Sequence, residues 1–165
     1  MLTRETLWSA SRPTLGEFKS HIRVTSTDLD EELRVKLNAA INAAENEIGQ
    51  IIAPSRFTFS GRFSASVPVP GPVQAIESVT VDGEEVSAED MDVEEFCIRF
   101  PESVSGSRMK IVFLSGPGQD LPFDIRAAIL LHAAALFNNP VDTVETLPKA
   151  STNLLRPYRR FVNGE

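Results

Sequence analysis

The chain is poor in the residues that most often carry chemistry. It has one cysteine (Cys97), one tryptophan (Trp8), one tyrosine (Tyr158) and two histidines (His21 and His132). A lone cysteine excludes an internal disulfide and suits a reducing compartment. Cys97 lies between Phe96 and Ile98, with no helix N-terminus to activate it, and reads as a structural thiol. Neither histidine has a partner at metal-ligand or local catalytic spacing, so no metal, no cofactor and no enzymatic activity are expected. Positive charge is also scarce: 16 Lys and Arg stand against 23 Asp and Glu, a net charge of −7. That balance excludes a protein whose whole surface grips nucleic acid, though not passive contact with DNA. No apolar run reaches the roughly 20 residues of a membrane span. The opening MLTRETLWSASRPT lacks the apolar stretch of a signal peptide, so assembly in a cytosol is expected.

Two further motifs are absent. Ser115-Gly116-Pro117-Gly118 sits between a strand pattern and a helix pattern, as a phosphate-cradling loop would. Pro117 has no N–H to donate, however, and no Lys-Ser/Thr follows to reach phosphates or magnesium. Residues 82–102 carry nine acids and one base, Arg99, but no D-x-D-x-D-G calcium loop. Such a cluster makes a solvated, mutually repelling surface, with Glu84, Glu85, Glu89, Asp90 and Asp92 facing either plain solvent or passing DNA.

The dominant feature present is PFDIRAAILLHAAALFN, residues 122–138. From Ile125 to Phe137, eleven of thirteen residues are apolar, interrupted only by Arg126 and His132. Pro122 and Asp124 suit a helix start, and Pro140 disfavours helix at Asn139. A helix that is apolar nearly all round must be covered on most sides. The cover comes from other helices of the chain or from further copies of it.

In chain order, residues 1–13 read as a loose arm carrying Trp8, either capping the core or anchoring in a neighbouring subunit. Thr14-Leu15-Gly16-Glu17 forms a capping box for a short helix ending near Arg23. Asp28, Asp30, Glu31 and Glu32 open a long amphipathic helix, with Leu33, Leu37, Ile41, Ala44, Ile48 and Ile51 on one face. After Pro54 the period changes to two. Strands are expected around Phe57–Phe63 (with a bulge near Gly61), Val73–Val81, Glu84–Val86, Phe96–Phe100 and Met109–Phe113, with Asp82-Gly83 as a hairpin turn. Val141 to Leu147 is acidic and irregular. From Lys149 to Glu165 the charge reverses, with four bases against one acid, and Leu154, Leu155, Pro157, Tyr158 and Phe161 interleave with Arg156, Arg159 and Arg160. Aromatic anchors beside steering charge suit a docking segment; a strap on the chain's own helices is the alternative. The expected fold is α+β, a helical bundle (long amphipathic helix plus apolar C-terminal helix) with a small antiparallel β insertion of four to six strands. It forms a single domain over 1–165: N-terminal helices 14–53, β insertion 55–115, core helix 122–139 and docking tail 147–165.

TLGEFKSHIRV, DLDEELRVKLNAAINAAENEI, VFLSG followed by LPFDIRAAILLHAAAL, and LPKASTNLLRPYRRF occur in that order over most of the chain. In this combination the sequence resembles the head–tail connector (adaptor) proteins of long-tailed bacteriophages and phage-like particles. It departs from the family where Gly-Pro-Gly replaces a Gly-aromatic after the strand and where AALFNN ends the core helix. The resemblance implies a dodecameric ring in the virion neck, between the portal protein and the head-closure or tail-completion proteins, with a lumen for the genome. It implies portal binding by Leu154, Leu155, Arg156, Pro157, Tyr158, Arg159 and Arg160. Subunit contacts are expected at Trp8, Ile129, His132, Leu136 and Phe137, where ring neighbours would cover the surplus apolar faces. Competing readings are a head-closure (stopper) or other neck protein, a small cytosolic enzyme, and a small regulatory binding module.

Overall fold

A computed structural model describes residues 1–7, 12–118, 121–139 and 147–160. The chain divides into two compact units, Met1–Ser9 with Ala53–Gly118, and Ala10–Ile52 with Gln119–Glu165.

The described residues of the first unit are mainly β, with one 3-10 turn at Ala88–Asp90. Its strands are β1 (Leu2–Thr6), β2 (Ser55–Arg62), β3 (Ser66–Pro68), β4 (Val73–Val81), β5 (Glu84–Val86), β6 (Asp92–Glu94), β7 (Cys97–Arg99) and β8 (Arg108–Ser115). They form a five-stranded antiparallel sheet, ordered β1-β2-β8-β4-β5, and a three-stranded one, ordered β3-β7-β6. Period-two alternation sets the faces: Met109, Ile111 and Phe113 of β8 are buried, while Arg108 and Lys110 point outward. Phe113 stacks on Phe57 at 5.5 Å between ring centroids, and Phe63 meets Phe100 edge-on at 5.1 Å. Asp82 and Gly83 both take positive φ, 52° and 92°, the geometry of a two-residue hairpin turn. The Asp82 carboxylate accepts the amides of Ser107 and Arg108, both at 2.8 Å, which hold it below its usual range.

Ser115-Gly116 serves close packing. Gly116 has φ +141°, and a Cβ there would lie 2.8 Å from Pro54 Cα. Only glycine lets the two backbones approach this closely.

The second unit holds α1 (Leu15–Ile22), α2 (Asp30–Ile48), α3 (Phe123–Asn138) and α4 (Lys149–Leu155), followed by a 3-10 turn at Arg156–Tyr158. The Thr14–Glu17 capping box starts α1, and Arg23, in left-handed geometry at φ 59°, ends it. Glu17 also accepts from Arg126 Nη1 at 2.7 Å, which ties α1 to α3, while Lys19 bridges α1 to Asp30 of α2 at 2.6 Å. Phe18, Leu33, Leu37, Ile41, Ile48, Ile129 and Leu155 form the centre of this unit's core. No described helix is long and apolar enough to cross a membrane.

These units overturn the expected helical bundle with a small β insertion. The fold is a sheet-rich α+β one, with 38% of the described residues helical and 29% in strands, and the β unit has a core of its own built on Phe57, Val79, Ile98, Ile111 and Phe113. Two features account for the difference. Leu2–Thr6, expected in a loose arm, is a strand on β2, with all five residues exposed and so with no apolar pattern to announce it. Two strands of the second sheet, β3 and β6, have three residues each, too few to show a period. The bulge expected near Gly61 is also absent: β2 runs through Gly61 in unbroken register with β8, and the irregularities lie on β4, at Val73/Ala75 and Ile76/Ser78.

Candidate docking tail and ring contacts

The C-terminal segment enters its helix from Pro148, which sits at the N-cap and whose carbonyl accepts from Thr152 N at 3.0 Å and from Thr152 Oγ1. One side of α4 is glued down. Leu155 is 0% exposed, and buried Ser151 donates from Oγ to Ala128 O of α3 at 3.0 Å. Past α4 the chain crosses the C-terminal end of α2. Gln50 Nε2 donates to Tyr158 O at 3.1 Å, and Arg160 N donates to Ile48 O at 2.8 Å, satisfying one of the carbonyls a helix end leaves open. Arg159 pairs with Glu47, so the tail's cations gather at the negative end of the α2 macrodipole. Tyr158 OH lies 3.5 Å from Asp124 Oδ2, which puts the tail beside the start of α3.

The seven tail residues fall into two groups. Leu155 is buried in its own unit, and Leu154 and Tyr158 are half-buried. Arg156, Pro157, Arg159 and Arg160 are exposed. Buried hydrophobic contact thus holds the strap, and it presents a short rim of Pro and Arg to solvent.

Of the five expected ring contacts, Ile129 (0% exposed) and His132 (6%) sit in the buried stripe of α3, with Ile125, Ala128 and Ala133. Leu136 and Phe137 are half-buried, as are Leu130 and Leu131. Trp8 lies outside the described residues. A single stripe at spacings of three and four is therefore buried within the chain, and the other apolar faces of α3 are only partly covered. Sequence reasoning missed Phe123, which is 89% exposed at the start of α3 beside Pro122. An aromatic directly after the proline that precedes an all-round apolar helix was the available signal. It also missed Glu47, Gln50 and Ile48 O as the seat of the tail, because nothing local links them to residues 158–160.

His132 is the one buried group here with a titration consequence. Its Nδ1 has no hydrogen-bond partner among the described residues, and burial pushes the imidazole below its ordinary value. The folded chain then binds fewer protons than the unfolded chain once the pH falls below about 6.5. This contribution to stability is whole above that pH and is lost as the pH drops toward the depressed folded value. Thermal melts should show the melting temperature falling from pH 7.5 toward 5.5, less steeply in His132→Leu; an unchanged slope in the variant would contradict this origin. Glu17 acts in a lower window. Burial opposes its ionisation, but the Thr14 bonds and Arg126 outweigh that and lower its value, so its contribution is lost only as the pH falls below the usual glutamate range.

Among the described residues, no group of three or more His, Cys, Asp or Glu could hold a metal ion. Cys97 is half-buried, with Sγ 3.1 Å from Ser66 Oγ.

No protein-family model and no curated protein matches the chain. Solved structures do. A chain in "Neck of empty GTA particle computed with C6 symmetry" superposes with a TM-score of 0.75 at 22% identity, covering 99% of this chain and 98% of that one. One in "Virion of native gene transfer agent (GTA) particle" gives 0.74 at 22% identity with the same coverage. One in "Neck of native GTA particle computed with C12 symmetry" gives 0.73 at 24% identity, again covering 99% and 98%. At such identities the likeness is one of fold, and it extends over the whole of each chain: this protein has the architecture of a component of those particles.

Proposed function

We propose that the protein is a structural subunit of the neck of a phage-like particle, where it forms a homo-oligomeric ring. The observation that carries this reading is the end-to-end match of fold, both units included, to chains of particle structures, two of them necks computed with C6 and C12 symmetry. A ring is built by heterologous contacts that close, and such contacts cover surface that a lone subunit leaves open. The partly covered faces of α3 around Leu136 and Phe137, and exposed Phe123, are surface of that kind, with Ile129 and His132 holding the helix in place behind them. Within the neck the role proposed is that of the head–tail connector. The ring is dodecameric, it joins a portal protein to a head-closure or tail-completion protein, and the genome passes through its lumen. The substantial helical content, 38% of the described residues, favours this over a mainly β head-closure protein.

The portal-facing element is the tail. Arg156 and Pro157 are exposed, and the Arg156 side chain makes no ion pair among the described residues, so both are available to a partner. Leu155 and the Ile48 and Gln50 bonds supply the rigid seat. Arg156→Glu should leave the far-UV circular dichroism unchanged while cutting co-assembly with the cognate portal at least tenfold, measured by co-sedimentation. Undiminished co-assembly of this variant, and of a chain ending at residue 149, would remove the tail from the contact.

A further inference from the structure

The β unit carries a basic patch that the connector reading does not use. β2 and β8 pair in register from Ser55↔Ser115 to Arg62↔Arg108, so two arginines lie directly opposite each other at the end of the ladder. Lys110 is two residues along β8 and therefore on the same face, opposite Ser60 on β2 and Thr80 on β4. All three cations are exposed. Arg62 and Arg108 border an open cleft of about 780 Å³ with Ser60 and Ser107, and Arg108 and Lys110 border a second hollow with Thr80 and Asp82.

Among the described residues, no carboxylate pairs with Arg62, Arg108 or Lys110. Asp82, which borders the second hollow with Arg108 and Lys110, has its two oxygens engaged by backbone amides. By contrast, Arg56, Arg99, Arg126 and Arg159 each hold a Glu or Asp. In a chain of net charge −7, three uncompensated cations on one sheet face are not a general neutralising device. Like charges directly opposite on a ladder also oppose folding. Solvent screens these exposed charges in part, and an anion from outside relieves the repulsion further.

We propose that Arg62, Arg108 and Lys110, with the hydroxyls of Ser60, Thr80 and Ser107, form a contact site for the phosphate backbone of duplex DNA. Arg, Lys, Ser and Thr are the side chains that meet phosphate oxygens, and they carry no base readout on an open sheet face. The choice of DNA over another polyanion rests on the neck reading, in which a duplex passes through the ring. The acidic remainder of the surface, including residues 82–102, repels the same backbone. The patch therefore holds DNA weakly, independently of sequence and with steep salt dependence, as a passage requires.

The test is fluorescence anisotropy of the full chain with a short labelled duplex, titrated with salt. Wild type should bind at low salt, equally for unrelated sequences. Replacing Arg62, Arg108 and Lys110 by Gln should flatten the slope of log K against log salt by about 0.9 for each cation removed. Arg56→Gln, which breaks an existing pair with Glu77 and Glu5, should leave the slope unchanged. The Gln variants should melt no lower than wild type, because a repulsion has been removed, and should still join the portal. Absence of binding at low salt, an unchanged slope, or displacement of the duplex by poly-glutamate at equal charge would overturn the proposal, the last by marking an acidic protein segment as the partner. If wild type binds DNA through the patch yet does not co-assemble with the portal, the neck reading fails and the DNA site stands.

Discussion

Leu155→Ala should destabilise the helical unit by about 2–5 kcal/mol and release the tail. Leu155 is wholly buried on α4, a helix of only seven residues that has no stability of its own in water. What keeps α4 in place is this side chain, the Ser151 bond to Ala128 O, and the crossing over the end of α2. Truncating the leucine leaves a cavity that neighbouring residues fill only in part. The polar contacts at Gln50 and Glu47 are exposed or half-exposed and cannot hold the strap alone. Limited proteolysis should therefore cut between residues 149 and 160 much faster in the variant, and portal co-assembly should fall with it. A tail as resistant as that of wild type would mean that it is held by something other than its buried leucine.

Phe113→Ala should cost the β unit about 3–5 kcal/mol. Phe113 sits at the middle of β8, the central strand of the five-stranded sheet, fully buried and stacked on Phe57. Its loss removes both the transfer free energy and an aromatic pair, at a position flanked by β2 and β4 with no freedom to collapse. Hydrogen exchange would locate the effect. The amides of β2, β4 and β8 should lose protection, while those of α1 and α2 should keep most of theirs. Loss spread evenly over α1 and α2 would contradict a β unit with its own core.

Legibility in the sequence followed the length and period of each element. Thr14 with Glu17, the Leu33–Leu37–Ile41–Ala44–Ile48 stripe, the Val73–Val81 alternation and Asp82-Gly83 each encode local geometry, and each appears as a cap, a helix, a strand and a hairpin turn. β1, β3 and β6 were not legible, whereas the Phe96–Phe100 alternation did mark β7. The residues of β1 and β3 owe their conformation to partners distant in sequence, such as Leu2 to Phe59 and Ser66 to Arg99. That shortfall is what made the chain read as a helical bundle with a small insertion. The α3 sequence showed that more apolar surface exists than one face can bury, but not which face is buried, since an all-round apolar helix has no preferred side. The basic patch was invisible for a related reason: Arg62 and Arg108 become neighbours only through the β2–β8 register. In the tail, residue types pointed to docking, but only the fold separates Leu155, which anchors, from Arg156 and Pro157, which face outward.

Imaging the purified chain mixed with its cognate portal by electron cryomicroscopy tests the connector assignment most directly. The expected result is a single ring of this chain seated on the portal, with residues 156–160 against portal density and α3 in contact with the adjoining subunit. A portal left bare, or the chain bound elsewhere as isolated copies with α3 facing solvent, would contradict it.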